Sequence, residues 1–264
     1  MTQRPIDLPD FDASPVAEVV LGVRYTTPEK LRVFHIGRYR DVIKDEFPVF
    51  EEHALVPRGE ERGLRLTTGP PPLPRCWLLN EAGTKLVQLQ TDRFLHNWRK
   101  VTGEEPYPRY EAIRDEFLRR WEQFLRFLEA EGLAKPTIVE CELTYVNHIP
   151  KGTCWSKPSD IPGVFTFLRD DPGLSFLPPP ESLACNLRYE PPGERGKLHV
   201  ALGQAVRTQD ETEVLRLDLA ARGSLELPRD EDLPGWFDLA REWIVRGFAD
   251  LTTEKAHQCW KRKV

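Results

Sequence analysis

Apolar and polar positions alternate along this chain in blocks that read as strands, and the blocks come in two similar sets. The first set opens on Glu18-Val-Val-Leu-Gly-Val-Arg-Tyr25 and the second on Ile138-Val-Glu-Cys-Glu-Leu-Thr-Tyr145, each an apolar run closed by tyrosine. The copies are offset by roughly 120 to 128 residues, which suggests one folded unit used twice. After the first strand, Leu31, Phe34, Ile43 and Phe47 recur at helical spacing until Pro48 stops the helix. A turn-rich stretch over 57–74 follows, with Leu64 and Leu66 as a short strand and the run Gly69-Pro-Pro-Pro-Leu-Pro74 as an extended connector, because proline brings no backbone donor, with an exposed recognition segment as the alternative. Strands at 76–79 and 85–94 flank Asn80-Glu-Ala-Gly-Thr84, a hairpin connection. A helix over 108–133 carries the stripe Ile113, Phe117, Trp121, Phe124 and Phe127 or Leu128, and Gly132 ends it.

In the second set a loop-rich insert over 150–180 stands where the first set has its early helix. Strands at 183–189, 197–205 and 214–221 come next, the first two joined by Glu190-Pro-Pro-Gly-Glu-Arg-Gly196. A last helix starts near Pro234, carries Trp236, Trp243, Ile244 and Phe248, and continues or restarts through Trp260. The expected fold is therefore α+β: a duplicated β-α-β-β-β-α unit, with antiparallel strands and long helices packed on one face about a pseudo-twofold axis. The boundaries are a tail over 1–14, a first repeat over 15–135 and a second over 136–264, forming one composite globular unit. In topology alone this resembles the duplicated saddle of the TATA-box-binding-protein class; a double hot-dog or another helix-on-sheet arrangement satisfies the same string. The polar sheet face would gather Gln88, Gln90, Asp92, Glu140, Glu142, Thr144, Arg216 and Asp218, too acidic to sit well on phosphates.

Composition narrows the classes. With 264 residues, 40% hydrophobic and 10% aromatic, the chain can bury enough surface to offset chain entropy. Its formal net charge is -5, from 42 acidic and 37 basic residues, with no long basic stretch, so general nucleic-acid binding is not expected. No run approaches a membrane span and no cationic leader opens the sequence, so a cytoplasmic, soluble protein is expected. The five cysteines lack CxxC spacing, and the six histidines show no HxH, HExxH or HxxxH pattern, so no disulfide framework, metal or cofactor is expected. Nucleophile elbows and glycine-rich phosphate loops are missing too, so no catalytic residue is assigned.

Two clusters carry candidate chemistry. Asp92-Arg-Phe-Leu-His-Asn-Trp-Arg99 gathers a carboxylate, an imidazole, an amide and two guanidinium groups. Asp92 or His96 could act as acid or base while Arg93 or Arg99 holds an anionic substrate. In a strand, however, Asp92, His96 and Trp98 share one face and Arg93, Asn97 and Arg99 the other, so the groups do not converge. The competing account is cross-strand pairs and turn caps. The second cluster is the strand end Tyr145-Val-Asn-His-Ile-Pro150, in which Asn147 and His148 point to opposite faces. Proximity of His96 to Glu142 in one pocket is what an enzyme or ligand sensor would need.

The segments Pro15 with Glu18-Val-Val-Leu-Gly-Val23, Trp77-Leu-Leu-Asn-Glu-Ala-Gly-Thr84, Gln88-Leu-Gln-Thr-Asp-Arg-Phe-Leu-His-Asn-Trp-Arg99, Tyr107-Pro-Arg-Tyr110, Glu142-Leu-Thr-Tyr-Val-Asn-His-Ile149 and Arg241-Glu-Trp-Ile-Val-Arg-Gly-Phe248 resemble a sporadically distributed family of uncharacterised prokaryotic proteins of about this chain's length. The resemblance spans nearly the whole chain and brings no established catalytic residues. It implies an accessory role in a mobile or defence locus. Together with the missing catalytic signatures, it favours a non-catalytic binding protein with a protein partner or small ligand; the enzyme or sensor is the alternative.

Overall fold

The computed structural model describes residues 8–53, 75–168, 176, 178, 180–193, 195–207, 210–225 and 230–264. The elements in chain order are β1 (Val16–Tyr25), α1 (Val33–Ile43), β2 (Val49–His53), β3 (Arg75–Leu79), β4 (Lys85–Gln90), β5 (Arg93–Arg99), α2 (Tyr110–Ala130), β6 (Ile138–Pro150), β7 (Ala184–Tyr189), β8 (Lys197–Arg207), β9 (Thr212–Gly223), α3 (Leu233–Leu251) and α4 (Glu254–Cys259). Among the described residues, all nine strands join one antiparallel sheet in the order β2-β3-β4-β5-β1-β6-β9-β8-β7. The fold is α+β, with β1 and β6, the two tyrosine-ended runs, side by side at its centre.

The predicted strand over 85–94 is in fact two. Gln90 pairs with Arg93, so Thr91 and Asp92 form a two-residue hairpin turn and the chain returns as β5. No glycine marks this turn, which is why periodicity ran through it. The backbone N–H of Tyr25 donates to Asp92 O at 2.9 Å, tying the turn to the end of β1. Strand β2 had no sequence assignment, and the strand expected at Leu64 and Leu66 lies outside the described residues. The insert after β6 holds a short 3-10 segment, Pro158–Gly163, and the C-terminal helix breaks at Thr252, after which the Thr253 hydroxyl accepts from Ala256 N to start α4.

Helix α2 forms because apolar residues recur every three or four positions from Ile113 to Leu128. Past its last turn Gly132 takes φ 68, Gly132 N donates to Glu129 O and Leu133 N to Leu128 O, a glycine C-cap as expected. The stripe lies on β1 and β5. Phe94 of β5 sits 6.1, 5.5 and 5.2 Å from the rings of Phe117, Trp121 and Phe124. Helix α3 covers β6 and β9 on the same side, and Phe237 meets Phe117 with ring centroids 5.0 Å apart. Gly247 brings α3 close to the sheet: a Cβ there would lie 2.9 Å from Leu198 Cδ2. Helix α1 packs on the far side of α2, Tyr39 reaching Phe124 at 5.2 Å. These packed aromatics form one continuous core between sheet and helices.

Candidate binding face

Period two divides every strand between this core and the other sheet face. Register puts Val19, Leu21 and Val23 of β1 beside Trp98, His96 and Phe94 of β5 on the helix side. Glu18, Val20, Gly22 and Arg24 take the opposite side, beside Arg99, Asn97, Leu95 and Arg93. Across β1 from these lie Val146, Thr144, Glu142 and Glu140 of β6, and beyond them Asp218, Ala220 and Arg222 of β9.

Of the eight residues expected on the polar face, seven lie there, and Asp92 sits in the turn. Register adds Arg24, Arg93, Arg99 and Arg222, so the face is not acidic. Sequence order hid those arginines, because each stands next to residues of the other face and only strand pairing reveals its neighbours. The carboxylates are also engaged: Glu140 with Arg24 at 3.4 Å, Glu142 with Arg222 at 2.8 Å and Asp218 with Arg216 at 2.9 Å.

One corner of this face, over β3, β4, β5 and β1, is built from polar groups bonded in series. Gln88 Nε2 donates to Asn97 Oδ1 at 2.7 Å, and Asn97 Nδ2 donates to Glu18 Oε1 at 2.5 Å. Gln88 and Asn97 are 6% and 3% exposed, and burial raises the pKa of the half-buried Glu18 against the pull of Asn97 and Arg99. Beside them Trp77 lies under the guanidinium groups of Arg75 and Arg99, at 5.1 and 5.4 Å, and stacks on His53 at 3.8 Å. Arg99 is held in place by Nε donating to Gly83 O at 2.9 Å. Trp77 Nε1, Arg75 Nε and Arg93 Nε are buried N–H donors with no hydrogen-bond partner. Three such donors on one corner leave hydrogen-bonding capacity unmet there.

The sequence-derived candidates divide accordingly. Arg93, Asn97 and Arg99 belong to this corner, and Glu142 lies farther along the same face, accepting from the Thr144 hydroxyl at 3.1 Å as well as from Arg222. His148 is also on this face, opposite Arg216. His96 and Trp98 are in the core on the helix side; His96 is 1% exposed and burial pushes its pKa down to about 4, with Trp98 against Tyr107 at 5.4 Å. Asn147 is buried on that side too, its Nδ2 donating to Leu217 O at 3.0 Å. His96 and Glu142 thus stand on opposite faces of the sheet and share no pocket. Glu18, Arg75 and Trp77 were not singled out from sequence. Glu18 was legible as a carboxylate inside an apolar strand, and the other two only through the pairing of β3 with β4.

Among the described residues, no three of His, Cys, Asp and Glu come together as a metal cluster, and no helix is long and apolar enough to cross a membrane. No family model, curated protein or solved structure matches the chain.

Proposed function

We propose that the chain is a non-catalytic binding protein whose polar sheet face receives an extended, acceptor-rich segment of a protein partner. The observation that carries this reading is the donor-rich corner of Arg75, Trp77, Arg93 and Arg99, where one N–H group of each of the first three has no hydrogen-bond partner and so calls for an acceptor. Partner carboxylates or backbone carbonyls satisfy that need, and Trp77 gives the flat aromatic contact that anchors such interfaces. The enzyme reading is weaker because its acid–base pair is split by the sheet: His96 is enclosed in the core while Glu142 faces the other way.

The same proposal includes an internal duplication. In each half the first strand pairs with the last, β1 with β5 and β6 with β9, and the two first strands meet antiparallel at the centre. Among the described residues the halves differ in that β2 and α1 have no counterpart in the second. Superposing 15–135 on 136–255 tests it: failure of β1, β5 and α2 to overlay on β6, β9 and α3 removes the duplication. The proposal extends to an accessory role in a defence locus, which a partner encoded beside this gene would support.

The test is capture of partners by the tagged full chain from its own host, with mass spectrometry of co-eluting proteins and extracted small molecules. A stoichiometric protein partner is expected, with capture reduced at least ~10-fold by Arg99→Glu or Trp77→Ala, the loss of one central charged or aromatic anchor. Circular dichroism and thermal unfolding establish that each variant is folded. A retained metabolite without a protein partner, or capture indifferent to both substitutions, overturns the proposal.

A further inference from the structure

A separate cavity of about 270 Å³ lies at the end of the sheet where β1 begins and β5, β6 and β8 finish. Its basic groups are Lys100, His148 and Arg207, and no carboxylate lines it. Val16, Val101, Pro150 and Trp260 provide apolar wall. In a chain of net charge -5, a cavity of this composition is selective by charge.

Each basic group is positioned by the fold. Lys100 follows β5, and its backbone N–H donates to Ala17 O at 2.8 Å, which fixes its backbone beside the start of β1. Arg207 gives Nε and Nη2 to Asp210 outside the cavity. Its Nη1 lies over Gly103, where a Cβ would approach it to 3.2 Å. Gly103 has φ 93, a conformation that glycine takes without strain and that leaves room for the guanidinium. His148, near the end of β6, is bonded by its backbone N–H to Pro15 O at 2.9 Å. Burial lowers its pKa, helped by Arg216 of β9, Arg207 of β8 and Lys100, with Asp218 of β9 opposing, so the imidazole is neutral at pH 7.

We propose that this cavity binds a small organic anion, a carboxylate, sulfonate or phosphate head on a compact apolar body, with Lys100 and Arg207 Nη1 on the head and Trp260 against the body. This goes beyond the partner-binding reading, because it uses the strand ends and none of Arg75, Trp77, Arg93 or Arg99. A bound anion favours the imidazolium form of His148, so binding strengthens as the pH falls through the imidazole range.

Titration calorimetry of the full chain with benzoate, benzenesulfonate and the uncharged benzamide tests it. Saturable binding of both anions is expected, with benzamide at least ~10-fold weaker and Lys100→Ala costing about 10-fold, the loss of one charge-assisted contact. Benzenesulfonate keeps its charge across the range, so its tighter binding from about pH 8 to about pH 5.5, abolished in His148→Gln, reports the imidazole. The Arg99→Glu variant retains anion binding and Lys100→Ala retains partner capture, so the two proposals fail independently. Equal affinity for benzamide and benzoate, affinity unchanged in a folded Lys100→Ala, or no saturable anion binding up to ~10 mM overturns the inference.

Discussion

Phe117→Ala is expected to destabilise the protein by about 3–5 kcal/mol, the range for emptying a large aromatic from a packed core. Phe117 is fully buried and joins three elements: its own helix α2, Phe94 on β5 at 6.1 Å and Phe237 on α3 at 5.0 Å. The cavity left by its ring would open between the helix that covers the first half of the sheet and the helix that covers the second. Those helices are themselves held by the strands beneath, so the walls cannot collapse far. Phe117→Leu keeps most of the volume and is expected to cost only about 1 kcal/mol or slightly more. Equilibrium denaturant unfolding of the three proteins measures both differences. A loss below about 1.5 kcal/mol in the alanine variant would mean that the helices close over the gap and that α2 and α3 do not share a rigid core.

Mild acid is expected to weaken the fold through His96. The imidazole is buried with Nδ1 unpartnered, and burial lowers its pKa from 6.5 to about 4. The nearby Glu116 favours the charged form, while Arg120, Lys85 and Arg119 oppose it. An unfolded chain takes up the proton near pH 6.5, whereas the folded chain refuses it until about pH 4. Stability from this residue is therefore complete above pH 6.5, is lost as the pH falls from 6.5 to 4, and changes no further below that. The difference amounts to roughly 3 kcal/mol. His148, His199 and His257 are also lowered by burial and act with the same sign. Glu18 acts against them: burial raises its pKa above 4.5, so its ionisation cost disappears on acidification through the interval just above that value.

The carboxylates held low by partners, Glu46 by Arg120 and Glu116 with Lys85, contribute their losses only below 4.5. The interval between 4.5 and 6.5 thus reads mainly the histidines and Glu18. In His96→Leu, denaturant unfolding across that interval should show a clearly flatter decline than in the natural chain. Glu18→Gln, which retains an acceptor for Asn97, should show a steeper one. An unchanged slope in His96→Leu would mean that water reaches the imidazole in the folded state.

Much of the architecture was legible in the sequence because it depends on local periodicity. The stripe of α2 and its stop at Gly132, the alternation of β8 and β9, and the two tyrosine-ended strands all follow from the spacing of apolar side chains and from what glycine and proline permit. The hairpin at Thr91 and Asp92 was not legible, since a turn without glycine gives little local signal; the change from core-facing odd positions in β4 to core-facing even positions in β5 is explained only by the strand pairing. Sequence left open whether the last helix continues or restarts before Trp260, and the structure shows the restart, with a break at Thr252.

The candidate face depended still more on what lies far apart in the chain. The sequence alone determined that His96 and Asn97 point opposite ways, as neighbours in any strand must. Only the tertiary structure decided which of them enters the core, because that depends on which face α2 and α3 cover. Pairing of β1 with both β5 and β6 then brought Glu18 beside Arg99 on one side and Val146 on the other, and aligned Arg24 with Glu140. Alternation fixes a residue's face relative to its neighbours along one strand, whereas the charge of a surface is set by neighbours across strands. Those neighbours are chosen by register and by the burial of a shared core, a property of the whole chain.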